Sequence, residues 1–260
     1  MCISRTLTVH LDHVALRVKH IRFSTKPTTN TLVFLHDALG SIPQWKLFPE
    51  LVSKKCGMDA IVYERQGHGD SSPFDGKRNR QYLHEQALEA LPKLLKELNI
   101  NRPILIGHSD GGSIALIHGA HFQTEAIVTI AAHIFVEEVT LKGIREARQI
   151  ASTLKPLLQK YHGEKTEALF NAWHETWLSD AFKDWSIVSD IHSINSPVLA
   201  IQGESDAYGS INQVSGILEA VTGPSKKLIV QNTGHLPHLE QAELLAIEIS
   251  RFLQESNRAT

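Results

Sequence analysis

The chain has 260 residues, of which 42% are hydrophobic and 21% charged, and a formal net charge of -2 at pH 7. That length can bury a large core in one α/β domain, and the balanced charge leaves no basic footprint, which excludes nucleic acid as an expected partner. Two cysteines, Cys2 and Cys56, cannot build a disulfide framework, and the N-terminus shows no continuous apolar leader. No window approaches the roughly 18 apolar residues of a spanning helix, so the expected setting is cytoplasmic, with no membrane partner.

In chain order, "LTVHLDHVALRVKHIRF" (7–23) alternates apolar and polar residues and predicts one or two half-exposed strands. "NTLVFLH" (30–36) is a nearly continuous apolar run, the kind buried on both faces of a parallel sheet. The loop "DALGSIPQW" leads to an amphipathic segment ending near Gly57, then to a second buried strand, "MDAIVYER" (58–65), and the glycine-rich "QGHGDSSP". Residues 80–98 carry leucines and alanines at helical spacing, with Pro92 predicting a kink. "RPILIGH" is a third strand, a helix follows from Asp110 to about Gly119, and "TEAIVTIAAH" (124–133) is a fourth strand.

Strands alternating with helices predict a doubly wound, mostly parallel sheet flanked by helices. The rhythm pauses from about Phe135 to Asp190, where the pattern is helical and rich in aromatics. It resumes with "SPVLAIQGESD" (196–206), a helix around 211–221, "KKLIVQ" (226–231) and a helix beginning near Leu239. The interruption predicts a helical cap at 134–190 inserted into an α/β core made of 1–133 and 191–260. Two helices packed beside the sheet are the plainer alternative.

"GHSDGG" (107–112) lies where the third strand becomes a helix. A serine hydroxyl needs a base, a group to orient that base, and donors for an oxyanion. A sharp strand-to-helix turn would lift Ser109 above the sheet, with Gly107 and Gly111 permitting close approach, and the helix N-terminus would offer backbone N–H groups. The alternative is a glycine-rich turn with an N-capping serine. Asp206, just after a buried strand, and His235, in the loop of "VQNTGHLPHLE", complete the order serine, acid, histidine. His235 would be the base and Asp206 its orienting acid.

On these motifs the chain resembles the α/β-hydrolase fold enzymes from about Thr31 to Glu240. The matching pieces are "HDALGS" for the oxyanion loop, "ERQGHGDSS" for the turn after the next strand, "GHSDGG", "GESD" and "GHLPHLE". The resemblance implies a serine hydrolase with oxyanion donors at the Ala38 and Asp110 N–H groups. It makes Arg65, Gly67 and Gly69 structural and turns His108 into packing. Many members of that family read His-Gly where this chain has His36-Asp37, and the position of Asp110 is often apolar. A carboxylate there would oppose an oxyanion, so Asp110 either turns away to stabilise the helix N-terminus or, with Asp37, attracts a cation on the substrate. "GHSDGG" and "DALGS" are similar to motifs of biphenyl-hydrolase-like, valacyclovirase-type enzymes, which cleave amino-acid esters.

Phe170, Trp173 and Trp177 have the spacing of a helix burying one face; they pack against the core, and Trp173 and Trp177 are also expected to line a substrate pocket. His162 and His174 lack the spacing of a metal site; neither a metal nor a cofactor is expected. The expected function is hydrolysis of a small-molecule carboxylic ester through an acyl-enzyme. Alternatives on the same residues are an amino-acid esterase, a lactonase, a carbon–carbon bond hydrolase and a perhydrolase; outside enzymes, a small-ligand sensor. A homo-oligomer is compatible with all of these.

Overall fold

The computed structural model describes residues 3–23, 30–75 and 77–259; Cys2 lies outside them. Eight strands form one sheet in the order β1-β2-β4-β3-β5-β6-β7-β8. β1 (Ile3–Leu11) and β2 (Val14–Arg22) make an antiparallel hairpin whose loop begins at Asp12, with a left-handed φ of 52°. Tight hairpin turns require such angles, and Asp tolerates them. β1 is the exposed edge, which explains its alternating polar residues.

β2 pairs antiparallel with β4 (Asp59–Tyr63), and from β4 outward every pairing is parallel. β3 (Thr31–Leu35), β5 (Ile104–His108), β6 (Ala126–Ile130) and β7 (Val198–Gly203) form the centre, and β8 (Ser225–Val230) the far edge. β4 through β7 are buried at every position, because helices cover both faces. The apolar runs of the sequence are these strands.

On one face, α1 (Phe48–Cys56) packs through Phe48 and Val52 against the C-terminal helix. α1 ends at Gly57, whose φ of 68° closes the helix in the left-handed conformation. The other face is covered by the segment around residue 90, by the helix after β5 and by α8 (Ile211–Ala220). The single kinked helix predicted over 80–98 is instead α2 (Tyr82–Glu85), a π turn (Gln86–Ala90) and α3 (Leu91–Glu97). Pro92 has no N–H to give and its ring crowds the carbonyl one turn back, so the backbone widens before it. α4 (Asp110–His121) is the central helix and is buried from Asp110 to His118. The final helix is split as well: α9 (Pro237–Glu240) ends at Gln241, whose φ of -133° and ψ of 46° are not helical, and α10 (Ala242–Ala259) follows.

Between β6 and β7 the chain inserts α5 (Glu138–Gln149), α6 (Ala151–His162) and α7 (Thr166–Trp177). The two ends of the insertion pair with each other: Val136 N–H donates to the Trp185 carbonyl and Ile187 N–H to the Ile134 carbonyl. Trp177, Phe182 and Trp185 of the insertion pack together, with Phe182 and Trp185 stacked 5.1 Å apart. This helical cap sits over the carboxyl ends of β5 and β7, because its Trp173 and Trp177 share a cavity with residues following those strands.

Candidate active site

The turn between β5 and α4 is strained. Ser109 has φ 54° and ψ -119°, a region that residues with a side chain rarely adopt. A Cβ at Gly107 would sit on the Gly111 carbonyl, and one at Gly111 on the Leu35 carbonyl, so only glycine lets strand and helix approach this closely. Ser109 N–H donates to the Ile130 carbonyl (2.8 Å), anchoring the turn to the neighbouring strand. The side chain makes no capping hydrogen bond. The N-capping alternative therefore does not describe this serine.

Asp206 and His235 meet across the loops after β7 and β8. The His235 Nδ1–H donates to both carboxylate oxygens of Asp206, at 2.8 and 2.9 Å, which leaves Nε2 as the unprotonated nitrogen. Tyr208 N–H (2.8 Å) and Gln202 Nε2 (2.6 Å) donate to the same carboxylate. Burial alone would push the Asp206 carboxyl up, but the bond to His235 and its charge, helped by the Tyr208 N–H, hold it below the ordinary range.

Asp37 is drawn into the scaffold rather than left pointing at solvent. Its Oδ1 accepts from Leu39 N–H (2.8 Å) and its Oδ2 lies 3.2 Å from His108 Nδ1. Burial pushes this carboxyl up, yet the His108 contact outweighs it and keeps Asp37 ionised far below the usual carboxylate range. His108 is packed against His238 (4.5 Å), as expected, but it is also a polar bridge: its Nε2 lies 2.8 Å from the His235 carbonyl. The oxyanion-type loop and the histidine loop are thus joined through one ring.

Asp110 is almost fully buried, and its Oδ2 accepts from the Tyr82 hydroxyl (2.9 Å) and lies 3.9 Å from Arg65 Nη1. Tyr82 in turn accepts from the Trp177 Nε1–H (2.9 Å), so cap, helix α2 and the serine turn share one hydrogen-bond chain. Arg65 is more than a turn former. Its Nη2 donates to the Asp37 carbonyl (2.5 Å), so one guanidinium spans the carboxylate after Ser109 and the backbone before Ala38. The Ala38 and Asp110 N–H groups donate to no acceptor among the described residues.

Ser109, His235, Ala38, Asp110, Asp37, Trp173 and Trp177 all border one cavity of about 190 Å³, with Asp206 immediately behind the imidazole. The charges of Asp37 and Asp110 are both countered by neighbouring cations or donors. A larger groove, about 500 Å³ around Arg102, Phe122 and Ser196, lies at the opposite ends of the strands, away from Ser109. Among the described residues no group of three or more His, Cys, Asp or Glu side chains could hold a metal ion.

Several residues at the site escaped the sequence reading. His133 borders the cavity and its Nε2 lies 3.0 Å from the Tyr208 carbonyl; its place just after β6, where α/β folds collect function, was a usable signal. Tyr82 and Gln202 carry no local signal, because their roles arise only from contacts across the fold.

The model of the alpha/beta hydrolase family matches residues 32–248. The chain belongs to that family. It is a hydrolase by class. It is 20% identical over 276 residues to the proline iminopeptidase of Saccharolobus solfataricus, covering 90% of this chain and 87% of the relative. A bacterial membrane phospholipase A superposes with a TM-score of 0.80 at 18% identity, covering 98% of this chain and 87% of its own. A carboxylesterase structure from the thaumarchaeon Nitrososphaera gargenis gives a TM-score of 0.76 at 20% identity, covering 98% and 100%. These likenesses concern the fold. No helix among the described residues is long and apolar enough to cross a membrane.

Proposed function

We propose that the protein cleaves a small carboxylic ester through an acyl-enzyme, with Ser109 as nucleophile, His235 as base and Asp206 as its orienting acid. The observation that carries this is the pairing of the Asp206 carboxylate and the His235 imidazole with a serine held at φ 54° on the same cavity, its hydroxyl unused as a cap. The Ser109 Oγ attacks the ester carbon while His235 Nε2 takes its proton. The oxyanion is held by the unused N–H groups of Ala38 and Asp110, and one such donor contributes roughly 3 kcal/mol to the barrier. Collapse expels the alkoxide, which leaves with the proton from His235. Water then adds to the acyl carbon, giving its proton to His235, and the acid departs as Ser109 recovers its hydrogen.

The cavity favours a short acyl group, since about 190 Å³ accommodates few heavy atoms beyond the carbonyl. It favours an ester without an α-amino group, because Arg65 and Tyr82 already occupy the Asp110 carboxylate and His108 that of Asp37. An exposed, unpaired carboxylate would be needed to attract an ammonium strongly. Trp173 and Trp177 form the apolar wall from the cap. A reducing, cytoplasmic setting accords with the low cysteine content.

A p-nitrophenyl ester series from acetyl to octanoyl, run beside α-amino and des-amino ester pairs, tests this. The expected result is an optimum between acetyl and butyryl, with no preference for the α-amino member. Ser109→Ala and His235→Gln should each lower kcat by roughly 10³-fold or more. Ser109 should take a fluorophosphonate label stoichiometrically. Unchanged turnover in Ser109→Ala, or stable ligand binding with no turnover at all, overturns the assignment.

A further inference from the structure

We infer that His162, at the end of cap helix α6, is a positioning residue for the oxyanion loop, so that the seated cap helps hold the hole in shape. This rests on the reading of Ser109 and Ala38 given above. The backbone N–H of Gly69 points at His162 Nδ1 (3.0 Å), so that nitrogen must be the acceptor and the ring proton must sit on Nε2. From there it donates to the Leu39 carbonyl at 2.9 Å. A single neutral tautomer therefore bridges the turn after β4 and the loop that carries Ala38. Burial, the largest influence on this ring, favours the neutral form.

The loop is gripped from two sides. From the core, Arg65 Nη2 and the His36 Nδ1–H donate to the Asp37 carbonyl at 2.5 and 2.7 Å. In a trans peptide the carbonyl and the following N–H point in opposite directions. Fixing the Asp37 carbonyl toward Arg65 therefore turns the Ala38 N–H the other way, and that N–H has no acceptor among the described residues. The turn is closed by Gly40 N–H donating to the same Asp37 carbonyl, at a loose 3.3 Å. The outer peptide, Leu39–Gly40, has its carbonyl tied only by His162 among the described residues. Without that bond the loop keeps its inner anchor and the contact of His68 Nε2 with the Ala38 carbonyl (3.1 Å), and loses its tie to the cap. Nearby, Lys165 Nζ donates to the Gly69 and Ser71 carbonyls, which docks the same corner of the cap on the turn after β4 without touching the oxyanion loop.

That separation supplies the test. In His162→Asn the shorter amide can still accept from Gly69 but does not reach Leu39, while His162→Gln can still donate to Leu39. Lys165→Met loosens the docking alone. Kinetics on the best p-nitrophenyl ester are read together with the Ki of a matching trifluoromethyl ketone, which forms the oxyanion adduct, and with the Tm. The Asn variant should lose about tenfold in kcat and about tenfold in ketone affinity with KM nearly unchanged, consistent with a weakened oxyanion contact. The Gln variant should stay within about twofold of wild type in both. Lys165→Met should lower Tm with kcat nearly kept.

Equal losses of kcat in the Asn and Lys165→Met variants, or a folded Asn variant with unchanged ketone affinity, overturn the inference and leave the esterase reading intact. If Asn at this position prevents folding, the Gln variant decides: a folded protein with ketone affinity lost about tenfold overturns it. Activity surviving in Ser109→Ala would instead remove the reading beneath it, and the inference with it.

Discussion

Moderate acid should destabilise this protein earlier than carboxylate titration would, because its fold traps neutral histidines. His36, His68 and His238 are each at most 3% exposed. Burial is the largest influence on all three and pushes the rings well below the ordinary imidazole value of 6.5, with Arg65 adding to this at His36 and His68 and His108 at His238. Geometry agrees at His36, whose Nε2 accepts from Arg65 N–H (3.0 Å) and so has no room for a second proton. Once unfolded, each ring protonates near 6.5, whereas the folded rings stay neutral. Below that pH the unfolded state binds more protons, so stability falls as pH falls. At one pH unit below, each ring costs on the order of 1 kcal/mol, and the three together a few kcal/mol, against a typical 5–15 kcal/mol for a domain. Urea unfolding followed by tryptophan fluorescence between about pH 7.5 and 5.5 measures this directly. His238 packs between Trp45 and Phe48 at 4.9 and 5.7 Å, so His238→Phe should remove about one proton from the slope. A stability constant within about 1 kcal/mol across that range would refute the claim that these rings are neutral in the fold. The separate loss from Asp37 and Asp206, both held low when folded, begins only as pH drops below the unfolded carboxylate value of 3.8.

Two further substitutions probe the polar chain behind Ser109. Asp110→Asn leaves the buried Arg65 guanidinium without its counter-charge and should cost about 3–5 kcal/mol, seen as a large fall in Tm, while the ratio of kcat/KM for amino and des-amino esters stays constant; a change in that ratio would restore amine recognition at Asp110. Trp177→Phe removes both the donor to Tyr82 and part of a buried ring, and should cost about 2–3 kcal/mol in urea unfolding; no change would mean that neither the indole N–H nor its packing supports the fold.

The fold was largely legible because its signals are local. Apolar runs such as "TLVFL" and "AIVTI" read as strands buried on both faces, and the break in the strand–helix rhythm marks the helical insertion between β6 and β7. The helix over 80–98 was less legible, since how a chain absorbs Pro92 depends on what packs against it. At the candidate site, Ser109, Asp206 and His235 follow buried strands, a placement that could be proposed from the text. Asp110 was ambiguous there, because a carboxylate beside a serine reads equally as a ligand for cations or as a partner for an unseen one.

What the amino-acid order determines by itself is which residues sit at the carboxyl ends of buried strands, since hydrophobic periodicity and glycine placement act over a few residues. Which charges are already neutralised was decided only in three dimensions. Arg65 meets Asp110 across 45 positions of chain, His108 meets Asp37 across 71, and His162 reaches Leu39 across 123. Coulombic and hydrogen-bonding energies depend on distance in space, and packing brings these groups to within a few ångströms regardless of their separation along the chain.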